Sequence, residues 1–253
     1  MTLNATECLV AFKYLQDNAD SLFNDAKILA NSVSYGHATS LLINSSEEYM
    51  KAFIIFLDGN GFQFRNRVPG ISNIFVNHKL RYGLALILTL LAILIDDFKV
   101  LLPHIKKTYN LTFDLMRDKE QIQNEMFSYM DMRIQTVLQE VQWFSEAEFL
   151  RQDGLYVDYV NEIKTPLNIT KTNFDETAFR ITRIRSFISD YISSFKSEGI
   201  IIIQGLENLK TQFIIEGWYE NIGKVIDLFK DHTKNPLLNL STLMREFSNE
   251  IPK

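Results

Sequence analysis

The chain has 253 residues, 46% of them apolar, with 26 basic against 31 acidic side chains and a net charge of -5. That apolar content can build a sizeable core in one or two domains, and the charge balance carries no global nucleic-acid or membrane signature. Cys8 alone cannot form an internal disulfide, four histidines show no structural-zinc spacing, and Met1-Thr2-Leu3-Asn4 lacks the basic and apolar regions of a secretory leader, so a reduced, cytoplasmic setting is expected.

Asn4-Ala5-Thr6-Glu7 has the form of a capping box, and the first helix is expected to start there. Its apolar residues Leu9, Phe12, Leu15, Ala19, Leu22, Phe23, Ala26 and Leu29 recur every three or four positions until the break at Ser32-Val33-Ser34-Tyr35-Gly36. A second helix is predicted from about His37 to Leu57, stopped by Asp58-Gly59-Asn60-Gly61. Two long helices joined by so short a turn should lie antiparallel.

A loop through Arg65, Arg67, Pro69 and Gly70 then leads to a third helix, capped by Ser72 or Asn73 and ended or kinked by Pro103. Within it, the run from Tyr82 to Ile95 is too short to span a bilayer, which takes about 20 apolar residues. Leu84 to Ile95 is apolar all round, the mark of a core helix packed on several sides, and it is the expected hub of the fold.

From Asn110 to Asp153 the periodicity fits one very long helix or two with a break, with Gly154 suited to the C-cap. The segment Leu155 to Val160 alternates like a short extended strand, and Pro166 marks a boundary. Beyond it Asn173 opens a helix through Phe179, Ile184, Ile188 and Ile192, and another is expected from about Leu206 to Phe229. Ile200 to Ile203 reads equally as a strand or a helix start. The expectation is an all-α protein, with residues 1-165 as one helical domain and 166-253 as a separate C-terminal helical region.

The second helix also carries Ser45-Ser46-Glu47-Glu48-Tyr49-Met50-Lys51-Ala52, charges inside an otherwise apolar stretch. Glu47 and Lys51 lie one turn apart on the face of Ser40 and Asn44, where a solvated pair would add only about 0.2–0.5 kcal/mol. Glu48 shares a stripe with Leu41, Ser45, Ala52 and Ile55, so its carboxylate is expected to be half-buried and in need of a donor. His78 and Arg81, a turn apart, are the donors expected for it. A histidine so placed either makes a structural hydrogen bond or acts as general acid or base, since its ordinary pKa lies near working pH.

The Asn-Ala start, the Gly-His-Ala opening of the second helix, Glu47-Glu48 with Lys51-Ala52, His78, and Leu150-Arg151-Gln152-Asp153-Gly154-Leu155-Tyr156-Val157-Asp158 together resemble the AbiV family of abortive infection proteins. These are prokaryotic phage-defence proteins assigned to the HEPN superfamily of helical domains. The resemblance runs from about Asn4 to Pro166. It implies a HEPN-like up-and-down helical bundle, a homodimer, no cofactor, and a role in stopping phage propagation at the cost of the host cell.

Many HEPN proteins are metal-independent ribonucleases that use an arginine, a polar residue and a histidine a few positions apart to polarise a ribose hydroxyl and the scissile phosphate. This chain departs from that pattern: Arg67 lies eleven positions before His78, and His37, His104 and His232 have no arginine a few positions upstream. Three readings follow. The first is a defence protein that binds a phage or host component and blocks propagation, with Glu47, Lys51, Tyr156 and Asp158 as binding candidates. The second is a divergent ribonuclease using His78, Glu48 and Arg81, helped by Arg180, Arg183 and Arg185 if they face the same cleft. The third is a helical oligomerisation module. No membrane partner is expected.

Overall fold

The structure, a computed structural model, describes residues 3–109, 119–159 and 163–212. Among these it is all helical: α1 (Ala5–Asn31), α2 (Tyr35–Gly59), α3 (Phe64–Arg67), α4 (His78–Tyr109), α5 (Lys119–Asp153) and α6 (Lys171–Gln212), with short 3-10 turns at Ile71–Phe75 and Pro166–Asn168. The capping box closes as the sequence suggests, Asn4 Oδ1 accepting from the Glu7 amide (3.0 Å) and Glu7 from the Asn4 amide (2.8 Å). Residues 32–34 turn the chain back, with Val33 at φ 62, a left-handed conformation unfavourable for a β-branched residue.

The hub is α2, not the apolar stretch of α4. Each of the other described helices packs against α2, α1 most extensively, and α2 is buried on nearly all sides. On α4, Leu91, Leu94 and Ile95 are exposed. Small residues on α2 account for this: Ala38, Ser40, Ser45 and Ser46 let neighbours approach closely, and the buried hydroxyls answer backbone carbonyls, Ser45 to Ala19 O and Ser40 to Arg151 O, both at 2.7 Å. α3 is tied to α1 and α2 by Arg65, which pairs with Asp58 and donates from Nη2 to Cys8 Sγ (3.1 Å). Burial pushes the Cys8 thiol pKa up.

Other expectations change with the fold. The loop after α2 holds its own helical turns, and Asn77 rather than Ser72 or Asn73 caps α4, its Oδ1 accepting from the Leu80 amide (3.2 Å). α4 runs through Pro103 to Tyr109, because a helix can lose one hydrogen bond at a proline without ending. The extended pattern after Gly154 amounts to one antiparallel bridge, Asp158 with Lys164. α6 is continuous through residues 200–203, so that stretch is helix; the part of the expected Leu206–Phe229 helix beyond Gln212 lies outside the described residues. α6 also packs back across Pro166 onto α2, with Tyr191 edge-on to Phe53 and Phe195 edge-on to Phe56.

Two close approaches fix the start of α2 against the Pro166 turn and the end of α5. A Cβ on Gly36 would lie 2.3 Å from Pro166 O, and one on Gly154 would lie 2.2 Å from Ser40 Oγ and 2.4 Å from Gly36 O. Gly154 is therefore a close-approach residue; its φ is not left-handed, so the C-cap role read from sequence is not its reason.

Candidate functional site

Glu47 sits in the middle of α2, 3% exposed, at the meeting of α2, α4 and α5. Burying a carboxylate there demands donors, and four groups converge on it. Arg81 Nη1 lies 2.5 Å from Oε2 and His78 Nδ1 2.8 Å from the same oxygen. Tyr82 donates its hydroxyl to Oε1 at 2.6 Å, and Arg151 Nε stands 3.8 Å away. His78, Arg81 and Tyr82 share one face of α4 by i, i+3, i+4 spacing.

Each donor is itself held. Arg81, also buried, gives Nε to Ile74 O (2.7 Å) and Nη2 to Phe75 O (2.8 Å), locking the preceding 3-10 turn to α4. The Tyr82 oxygen also lies 2.8 Å from Glu148 Oε2, and its single proton can serve only one carboxylate at a time. Burial, followed by the two carboxylates beside it, raises the Tyr82 pKa and keeps the phenol protonated. Glu148 is answered by Arg151 Nη2 (2.7 Å) and Gln152 Nε2 (2.6 Å). Burial pushes the Glu148 pKa up, but hydrogen bonds from Arg151 and Tyr82 outweigh it and leave the carboxyl below its ordinary 4.5.

That depression has a sign. A carboxyl with a lowered folded-state pKa contributes stability above its unfolded pKa and loses it as pH falls through the folded value. The fold should therefore weaken as pH drops below about 4.5, and Glu148→Gln should flatten that slope in urea titrations across the acid range.

The roles of the two adjacent carboxylates are exchanged relative to the sequence reading. Glu47, not Glu48, meets His78 and Arg81; Glu48 pairs with Lys51 at 2.5 Å on a partly exposed face. Consecutive helical residues are about 100° apart, and the seam with α4 and α5 lies on the Ser40, Asn44, Glu47 side. Those polar neighbours read as a solvated face in sequence. Tyr82, Glu148 and Arg151 also belong to the cluster; the sequence marks Arg151 only as part of a family segment, and the signals for all three are the His78, Arg81, Tyr82 spacing and the Glu148, Arg151, Gln152 spacing on α5.

Tyr156 stands exposed beyond the end of α5, and Asp158 forms the backbone bridge to Lys164. The arginines of α6 do not reach this cluster: Arg180 pairs with Glu140 (3.0 Å), Arg183 lies 3.8 Å from the same carboxylate, and Arg185 holds Asp20 and Tyr49. His37 meets Ser34 Oγ at the start of α2, and His232 lies outside the described residues.

Glu47, His78 and Glu148 place ligand atoms within 4.8 Å of one another, a spacing that would close on a cation. The donor set fits poorly. A cation there would displace the Tyr82 hydroxyl and sit beside Arg81, so the arrangement suits an ion-pair cluster. His78 is the one member facing outward, its side chain 44% exposed. With Nδ1–H directed at Glu47, an assignment made from the hydrogen-bond network, Nε2 is left as the basic nitrogen.

The described residues thus form a helical bundle whose central helix is ionically stitched to two others, and the class to which it belongs is shown by a family match. The HEPN-type AbiV family model matches residues 7–185, and the chain belongs to the AbiV family. Its place is accordingly in abortive-infection defence against phage. The match runs into α6 and ends at Arg185, beyond the Pro166 limit of the sequence resemblance. No curated protein and no solved structure shows significant similarity to the chain.

No described helix is long and apolar enough to cross a membrane.

Proposed function

We propose that this protein defends the cell by binding a phage or host protein and blocking phage propagation, not by chemistry at the buried cluster. The observation that carries it is the segment after α5, where Tyr156, Val157 and Tyr159 are 63%, 59% and 80% exposed. Gly154 fixes the start of residues 155–159 against Gly36 and Ser40 of α2, and the Asp158–Lys164 bridge ties their backbone further along. Exposed aromatic side chains on backbone tied in this way are suited to a partner pocket, because less ordering entropy remains to be lost there. The buried charges of the cluster, by contrast, are answered within it.

One observation favours a ribonuclease as second reading: the Glu47–His78 dyad, with the imidazole partly exposed and Arg81 Nη1 3.2 Å from its Nδ1. Cells carrying Tyr156→Ser, Val157→Ser and Tyr159→Ser together should lose phage protection while the purified variant keeps its melting temperature. Full protection by that variant, with metal-free RNA cleavage by the parent that His78→Ala abolishes, would reverse the ranking.

A further inference from the structure

α5 and α6 both pack on α2 but hardly touch each other. What bridges them is ionic: Glu140 on α5 takes Arg180 and Arg183 from α6, and Arg180 stacks over Trp143 with its guanidinium carbon 5.2 Å from the ring centroid. Outside this bridge runs an open groove of about 760 Å³. Trp143 forms part of its floor, Phe179 stands 60% exposed along it, and Glu146, Asp175 and Glu176 line it.

Three properties decide what it would hold. The groove is open along its length, whereas small-molecule sites enclose most of their ligand. Its lining sets four carboxylates, Glu140, Glu146, Asp175 and Glu176, against two guanidiniums, Arg180 between Glu140 and Glu176 and Arg183 between Glu140 and the Phe179 ring, so its net charge is negative, which disfavours nucleic acid and anionic lipid. Its α5 wall runs from Thr136 to Glu146, about 15 Å or nearly three helical turns, the length over which an amphipathic helix docks between two others.

We infer that this groove receives a basic amphipathic helix of the partner protein, its apolar side on Trp143 and Phe179 and its lysines or arginines toward Glu146 and Glu176. This rests on the binding function proposed above. The groove and the aromatic segment lie along the same half of α5, Glu146 and Gly154 being about 12 Å apart along the helix, so one partner can engage both.

The test uses the full chain and a fluorescent Leu/Lys peptide of about four helical turns, with a control of the same composition scrambled to lose its apolar face. Saturable binding of the amphipathic peptide is expected, at least tenfold tighter than the scrambled one. Glu146→Lys with Glu176→Lys, both on exposed positions, should weaken it at least tenfold, and Phe179→Ala should do so without changing net charge. Equal affinity for both peptides, or unchanged affinity in these variants, overturns the inference. The charge-reversed variant should also lose phage protection; protection retained when peptide binding is lost would overturn the groove's role while leaving the binding function standing. Failure of that function would show separately, as His78-dependent RNA cleavage accompanying protection.

Discussion

Glu47→Ala should cost the fold about 3–5 kcal/mol, whereas Glu48→Ala one position along should cost no more than about 1 kcal/mol. Removing the Glu47 carboxylate leaves the Arg81 guanidinium buried, still bound to Ile74 O and Phe75 O but with its charge unanswered, and takes the acceptor from His78 and Tyr82. Breaking a buried pair from one side is expensive for that reason. Glu48 loses only a short, partly exposed contact with Lys51. In thermal melts the first variant should fall by roughly 6–20 °C and the second by a few degrees at most. Equal losses would mean that the seam runs through Glu48 after all. Glu47→Gln should recover part of the loss, since an amide can still accept from Tyr82 and Arg81 but brings no charge.

Gly36→Ala and Gly154→Ala should each destabilise by about 1–3 kcal/mol or more. The direction is opposite to that of an ordinary helical glycine, where alanine gains about 1 kcal/mol. At Gly36 the new methyl would meet backbone, Pro166 O at 2.3 Å, and at Gly154 it would meet Ser40 Oγ and Gly36 O. Backbone cannot swing aside as a long side chain can, so Gly36→Ala should push the Pro166 turn away from α2 and Gly154→Ala should pry the end of α5 from it. Chemical denaturation measures the loss. A gain in stability at either position would show that α2 is not approached so closely there.

How much of this was legible from the sequence depends on the kind of force involved. Local signals were plain: the Asn4–Glu7 box, the Ser32–Ser34 turn and the Asp58–Gly61 stop all mark helix ends, because caps and turns act within a few residues. The hub was not. Leu84 to Ile95 is more apolar than α2, but centrality follows from how closely neighbours can approach, and that is set by Gly36, Ala38, Ser40 and Ser45, which look unremarkable in a hydropathy pattern. The site was half legible. His78 and Arg81 were recognisable as donors to a carboxylate in the second helix, but which of two adjacent carboxylates they serve depends on rotation about the helix axis. Glu148 and Arg151, about a hundred residues downstream, reach the cluster only through tertiary packing. The arginines of α6 look in sequence like a cationic face and prove to be interhelical clamps.

Gly36, Ser40 and Glu47 all meet α5 or its C-terminal continuation, and their separations of four and eleven residues return close to whole turns of a 3.6-residue helix. The stretch between Gly36 and Glu47 therefore acts as a ruler. Loss or gain of one residue within it would turn the glycine notch about 100° away from the carboxylate, so α5 could seat against one and never both. Point substitutions at solvent-facing positions there are tolerable in principle, but length is not. Among functional variants of this fold, the spacing from notch to carboxylate should be the most rigid dimension of α2, and any deletion that survives selection should remove whole turns or fall after Glu47.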